Sequence, residues 1–180
     1  MPGSDQAFDQ DAELFRKAAN GDGRAFHQLV DLHTQRLYRL AVSLVGNTVD
    51  AEDVLQEAFI GAFQGLKAFE HRSTVKTWLT RILVTQAAKW RRDNKRRTAE
   101  PIESQELDII ADKSNEIRID LQGALQRLSL EHREVLVLRE FDGLSYGEMA
   151  EMLNVPRGTI ESRLHRARNE LREQLKAYLP

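Results

Sequence analysis

The sequence contains no cysteine, which rules out disulfides, thiolate zinc sites and a cysteine redox switch. It has no apolar run near 18 residues, so nothing is expected to insert into a membrane. The first residues, Met1 to Gln6, carry an acid and no apolar signal core, and a cytoplasmic protein is expected. No stretch alternates at period two, so no sheet is expected. Five histidines are present, but none forms an H-E-x-x-H pair, and His27 and His33 are six apart, poorly placed to share a helix face. No metal and no cofactor are expected. With 41% hydrophobic residues in 180, the chain can bury a core, as one ordinary domain or two small ones.

A large net charge is missing as well: 26 lysines and arginines against 28 acids leave −2. The distribution is uneven, and local field attracts phosphate more than net charge does. Residues 89–97 hold six bases and one acid, and residues 156–172 hold five arginines against two glutamates. Residues 100–120 hold seven acids against Lys113 and Arg118.

Apolar residues recur at helical spacing almost throughout. Phe26, Leu29, Val30, Leu37, Leu40, Ala41 and Leu44 mark one helix, which Gly46 and Asn47 would end. A second starts at Asp50 as N-cap, with Ala51, Leu55, Ala58, Phe59, Ala62, Phe63 and Leu66 as its buried stripe. Asp53, Gln56, Glu57, Ile60 and Gln64 form a stripe on the opposite side, as a partner-binding helix requires. A third runs over 74–92 with Val75, Trp78, Leu79, Ile82 and Gln86 on one side. Its polar side holds Thr77, Arg81, Thr85, Ala88 and Arg92.

Around 94–115 the periodicity breaks, and the stretch reads as a flexible acidic linker or as an ordinary surface loop. About 20 extended residues reach roughly 65 Å at about 3.3 Å each. That is the length of about 20 base pairs of duplex. Beyond it, Ile117, Leu121, Ala124, Leu125 and Leu128 mark another helix, and 130–139 a short one. The expected architecture is all-α, with two small helical domains. Residues 1–11 would be a flexible N-terminal segment, 12–93 the first domain, 94–115 the linker and 116–180 the second domain.

The second domain carries a helix-turn-helix over 146–165. Ser145 with Glu148 makes a capping box. Ala150 is small where two helices cross, and Asn154 tolerates the left-handed conformation of the turn. Leu153, Val155, Ile160 and Leu164 would lock the second helix, which is expected to run towards Tyr178. Such a pair exposes the start of its second helix to a major groove. That face carries Arg157, Glu161, Ser162, His165, Arg166 and Arg168, with Arg163 alongside, while Gly158 and Thr159 offer backbone amides to a phosphate. The bland alternative is an αα-hairpin with a solvated basic face.

Single-stranded bases need aromatic faces and cationic walls, and a base drawn from its stack needs a small polar pocket. Phe69, His71, Arg72, Ser73 and Thr74 at the entry of the third helix would build such a pocket. For Trp78, core packing is favoured over base stacking. The basic run at 89–97 can also be read as a solvated helix end.

Three segments together resemble the extracytoplasmic-function sigma factors. Asp50-Ala51-Glu52-Asp53-Val54-Leu55-Gln56-Glu57 with Phe59 is similar to their polymerase-binding segment. Thr77-Trp78-Leu79-Thr80-Arg81-Ile82 is similar to their promoter-melting helix. Leu144 to Ala150 with Pro156 to Arg168 is similar to their terminal helix-turn-helix. The resemblance implies that Asp50, Asp53, Gln56, Glu57 and Ile60 bind core RNA polymerase. It implies that Phe69, His71, Arg72, Ser73, Thr74, Thr77, Trp78, Arg81 and Thr85 meet the melted proximal promoter element as single strand. It implies that Arg157, Gly158, Thr159, Glu161, Ser162, Arg163, His165, Arg166 and Arg168 bind the distal element as duplex. An anti-sigma factor is the family's usual regulator. The chain departs from the family pattern at Thr85, where asparagine is frequent, and at Glu161, where a base is frequent, so preferences at both contacts are expected to differ.

Other readings fit fewer residues. A stand-alone helix-turn-helix regulator leaves the 50–64 surface unexplained. A sigma mimic does not need Arg81, Arg91, Arg92, Arg163 and Arg166. An enzyme would need a phosphate loop, a nucleophile elbow or paired carboxylates, and none is found, so no catalytic residue is expected.

Overall fold

A computed structural model describes residues 3–70, 73–97 and 121–176, with side chains from residue 10 to 70, 73 to 94 and 121 to 176. All assigned elements among them are helical: α1 (Gly3–Ala19), α2 (Gly23–Val45), α3 (Thr48–Gly65), a 3₁₀ turn (Leu66–Ala68), α4 (Val75–Arg97), α5 (121–127), α6 (Leu130–Glu140), α7 (Tyr146–Leu153) and α8 (Arg157–Gln174). The all-α expectation holds. Contacts group them into two compact units, one built on α1, α3, α4 and α2 as far as Ala41, the other on α5–α8 with the short stretch Val42–Asn47. Most of the expected linker lies outside the described residues.

In the first unit, α1 begins at Gly3 rather than after a flexible residue 11. No proline or glycine interrupts residues 4–19, and Leu14, Phe15 and Ala18 give the helix a buried edge. Lys17 pairs with Glu13 at 2.7 Å and holds that carboxyl below the usual glutamate range. Gly21 ends α1 at φ 97°, and Asp22 then starts α2 by accepting from the amides of Arg24 and Ala25 at 2.9 and 3.2 Å. His33 of α2 is buried and lies 3.0 Å from Asp11 of α1. Gly46, not Asn47, takes the positive φ after α2.

Helix α3 starts at Thr48, so Asp50 sits in its first turn rather than at the N-cap. A carboxylate there still favours the helix, because the unpaired amides make that end positive. The buried stripe is Ala51, Val54, Leu55, Ala58 and Ala62. Phe63, expected in the core, is 58% exposed, with its ring against Phe26 at 5.1 Å.

Helix α4 reaches Arg97, four residues into the expected linker, and so takes the whole basic run of 89–97. Its core side is Val75, Leu79, Leu83, Val84 and Ala87. Ile82 and Gln86, expected on that side, are half-buried at its edge. Helix α4 packs on α3 and on α1, and its buried arc is offset by about one residue from the expected one. Thr80 is fully buried, yet satisfied: its hydroxyl donates to the Lys76 carbonyl and accepts from Arg36 of α2, both at 3.0 Å.

The second unit has its core in Ala124, Leu125, Leu128, Val135, Leu136, Val137, Leu138, Leu144, Met149, Ile160, Leu164 and Ala167. Arg133 of α6 caps the end of α5, donating to the carbonyls of Leu125 (2.8 Å), Gln126 (2.6 Å) and Leu128 (3.2 Å). These carbonyls end a helix and lack helical partners, so one guanidinium satisfies several at once. Helix α8 ends at Gln174, and Tyr178 lies outside the described residues.

Candidate nucleic-acid interface

The helix-turn-helix forms as its chemistry requires. Ser145 accepts from the Glu148 amide at 3.2 Å, and the Glu148 carboxylate accepts from the Ser145 amide at 2.8 Å, closing the capping box. Asn154 caps α7 at φ 52° and ψ 50°. The Val155 amide then donates back to Ala150 at 3.1 Å, and Pro156 opens α8. Ile160 and Leu164 are buried, whereas Leu153 and Val155 are half-buried. The opposite face of α8 is thereby turned to solvent.

On that face Arg157, Gly158, Glu161, Ser162, His165, Arg166 and Arg168 are exposed, and Thr159 is half-buried. The arginines are not equivalent. Arg157 donates to Glu161 at 3.2 Å, one turn on. Arg168 donates to Glu140 of α6 at 2.7 Å, which raises its already high pKa. Arg163 turns away: its side chain is 19% exposed and pairs with Glu131 of α6 at 2.9 Å. A packing role for Arg163 therefore accompanies any contact with DNA. Arg166 has no ion-pair partner among the described residues and is a permanent cation open to solvent.

Tyr146 was not singled out by sequence. Its ring lies 5.4 Å from the guanidinium of Arg139 and 6.0 Å from that of Arg157. A cation over each contact steadies the start of the exposed face. A tyrosine opening a short helix gives no sequence signal for this, because its partners come from two other helices.

In the first unit, Asp53, Gln56, Glu57, Ile60 and Gln64 share the outer face of α3 and are all exposed, with Ile60 at 43%; Asp50 is half-buried. The stripe is an acidic and polar face with one apolar centre.

At the entry to α4, the expected pocket residues divide. His71 and Arg72 lie outside the described residues. Phe69 and Trp78 pack with the buried Phe15 as a three-ring cluster, with centroids 4.8, 5.0 and 5.2 Å apart. Phe69 and Trp78 remain half-buried, so each keeps an accessible edge. Thr74 starts α4, accepting from the Thr77 amide at 3.1 Å and donating to its hydroxyl at 3.0 Å. Thr77 is itself buried and turned inward, not onto the polar face expected for it. Ser73 is half-buried; Arg81 and Thr85 are exposed on the open side of α4. The Thr85 hydroxyl donates to the Arg81 carbonyl at 2.8 Å. Its hydrogen is thus committed to the backbone, leaving an acceptor where an asparagine would offer both kinds of group.

Among the described residues, no helix is long and apolar enough to cross a membrane, and no cluster of acidic and histidine side chains could hold a metal ion.

Comparison with known proteins agrees with this geometry. Residues 29–97 match the Sigma-70 region 2 family, and residues 118–171 match the Sigma-70, region 4 family. The chain is 33% identical over 176 residues to the ECF RNA polymerase sigma factor SigW of Bacillus subtilis, covering 89% of this chain and 94% of that one. It is 35% identical over 189 residues to the RNA polymerase sigma-H factor of Pseudomonas aeruginosa, covering 95% and 96%. The solved structure of sigma factor RpoE with the anti-sigma factor NepR from Bartonella quintana superposes with a TM-score of 0.70 at 30% identity, over 84% of this chain and 96% of that one. The structure of CnrH with the cytosolic domain of CnrY gives 0.71 at 28% identity, over 93% and 98%. This chain belongs to the sigma-70 family, in its extracytoplasmic-function group. It is accordingly a sigma factor, directing RNA polymerase in promoter-specific initiation of transcription; the family as a whole is not catalytic.

Proposed function

We propose a division of labour within this sigma factor. The outer face of α3, centred on Asp53, Gln56, Glu57 and Ile60, holds core RNA polymerase. The entry to α4 and its open side, with Arg81 and Thr85, take the melted proximal element as single strand. Helix α8 enters the major groove of the distal element. The observation that carries this is the exposed face of α8, with Arg157, Glu161, His165 and Arg166 presented by a capped helix-turn-helix. This chain itself performs no catalysis; bond formation belongs to the polymerase. It works in the cytoplasm, and an anti-sigma factor controls it, a reading supported by the similar RpoE, whose structure contains one.

The test is capture of core RNA polymerase by the full chain, followed by run-off transcription on a pool of genomic promoters. Capture with new transcripts is expected. Tight duplex binding without capture would overturn the reading in favour of a stand-alone regulator.

A further inference from the structure

Along the exposed face of α8, His165, Asn169 and Arg172 form a hydrogen-bonded ladder. Arg172 Nη1 donates to Asn169 Oδ1 at 3.3 Å, and Asn169 Nδ2 lies 3.1 Å from His165 Nε2. The direction of this ladder follows from its lower end. A guanidinium can only donate, so Arg172 requires the amide oxygen of Asn169 on its side. The amide nitrogen, another obligatory donor, then faces the imidazole. His165 must meet it with a lone pair on Nε2. In the neutral ring, the single proton is therefore on Nδ1.

We propose that Asn169 is a positioning residue for DNA recognition: it fixes His165 as the Nδ1–H tautomer, so that His165 serves the distal element as a neutral hydrogen-bond donor in a fixed orientation. This rests on the reading that α8 docks on the distal element. His165 stands one turn beyond Glu161 and Ser162 on the exposed face of α8, where a contact to a phosphate would position the helix rather than read a base. A neutral donor there supplies register without displacing a counterion, unlike the neighbouring Arg166. The charged and titratable groups about the ring are Glu161, Arg168 and Arg172 on α8 and Tyr146 on α7, which line one groove with it; Arg168 is itself engaged by Glu140 of α6.

Two measurements test this. The imidazole ¹⁵N shifts of the free full-length chain, assigned with His165→Gln, should show His165 protonated on Nδ1 above neutral pH. Asn169→Ala should move it to the Nε2–H form that unconstrained histidine prefers. With holoenzyme assembled on core polymerase, Asn169→Ala should weaken binding to a promoter duplex selected from a pool about three- to tenfold, the range of one hydrogen bond. That loss should vanish when Asn169→Ala is made in the His165→Gln background. An Nε2–H tautomer in the unsubstituted chain, or an equal loss in both backgrounds, overturns the proposal. Arg166→Ala separates this from the docking of α8: if it leaves promoter affinity unchanged, the docking reading fails, whereas the tautomer is read in the free protein.

Discussion

Arg168 on α8 and Glu140 at the end of α6 meet at 2.7 Å, so one arginine of the exposed face of α8 is already held by a carboxylate of its own domain. The same Glu140 oxygen also accepts from Arg168 Nε at 3.2 Å. The hydrogen bond to Glu140 raises the pKa of Arg168 above an already high value. Its contribution is thus complete below the unfolded arginine range and is lost only at more alkaline pH, so stability due to this pair should be flat across neutral pH. Both partners are nearly half exposed, which keeps the pair weak. Glu140→Gln should cost less than about 1 kcal/mol in thermal unfolding. It should also free Arg168 for phosphate: the slope of log affinity against log salt for duplex DNA should steepen by about 0.9 if one contact is gained. An unchanged slope would place Arg168 outside the DNA contact.

Glu161 is coupled to Arg157 at 3.2 Å, so it orients a cation as well as offering an acceptor. A glutamate can take a hydrogen from a cytosine amine, and a lysine cannot. Glu161→Lys should change the preferred base at one position of the distal element and reduce discrimination there by about 1–3 kcal/mol. Selection on a randomised distal element reads this directly; the same consensus from both proteins would refute it.

Asn154 is the one non-glycine among the described residues with positive φ. Asn154→Ala should destabilise the second unit by about 1–2 kcal/mol, because the alanine Cβ crowds the following carbonyl. Asn154→Gly should be close to neutral. Differential scanning calorimetry of both variants supplies the comparison, with about 4–8 °C expected for each kcal/mol in a domain of this size.

Asp53, Glu57 and Ile60 are exposed, so their replacement should leave folding intact. Asp53→Lys with Glu57→Lys should nonetheless abolish capture of core polymerase, with unfolding changed by no more than about 0.5 kcal/mol per site. Retained capture would move the polymerase contact off α3.

Phe15 is 1% exposed and touches both Phe69 and Trp78. Phe15→Ala should cost about 3–5 kcal/mol. Trp78→Phe, which keeps an aromatic ring in the cluster, should cost far less. If Trp78→Phe impairs promoter opening by holoenzyme while the melting temperature holds, the exposed ring edge has a role in melting. If opening is unaffected, Trp78 acts through packing alone.

Features that depend on neighbours along the chain were legible in the residues alone. Helical periodicity marked α2, α3 and α4, and the capping box at Ser145 and the αL residue Asn154 located the helix-turn-helix, because caps and turns are local chemistry. The packing of the helices set what depends on neighbours in space. It turned Thr77 inward and Phe63 outward, since which arc of a helix is buried depends on where the other helices lie. It recruited α1, whose Phe15 has meaning only against Phe69 and Trp78. It also sorted the arginines of α8. Arg163 and Arg168 are held by carboxylates of α6 more than 25 residues away in sequence, and Arg166 is left to the solvent; linear spacing carries no information about ion pairs between helices.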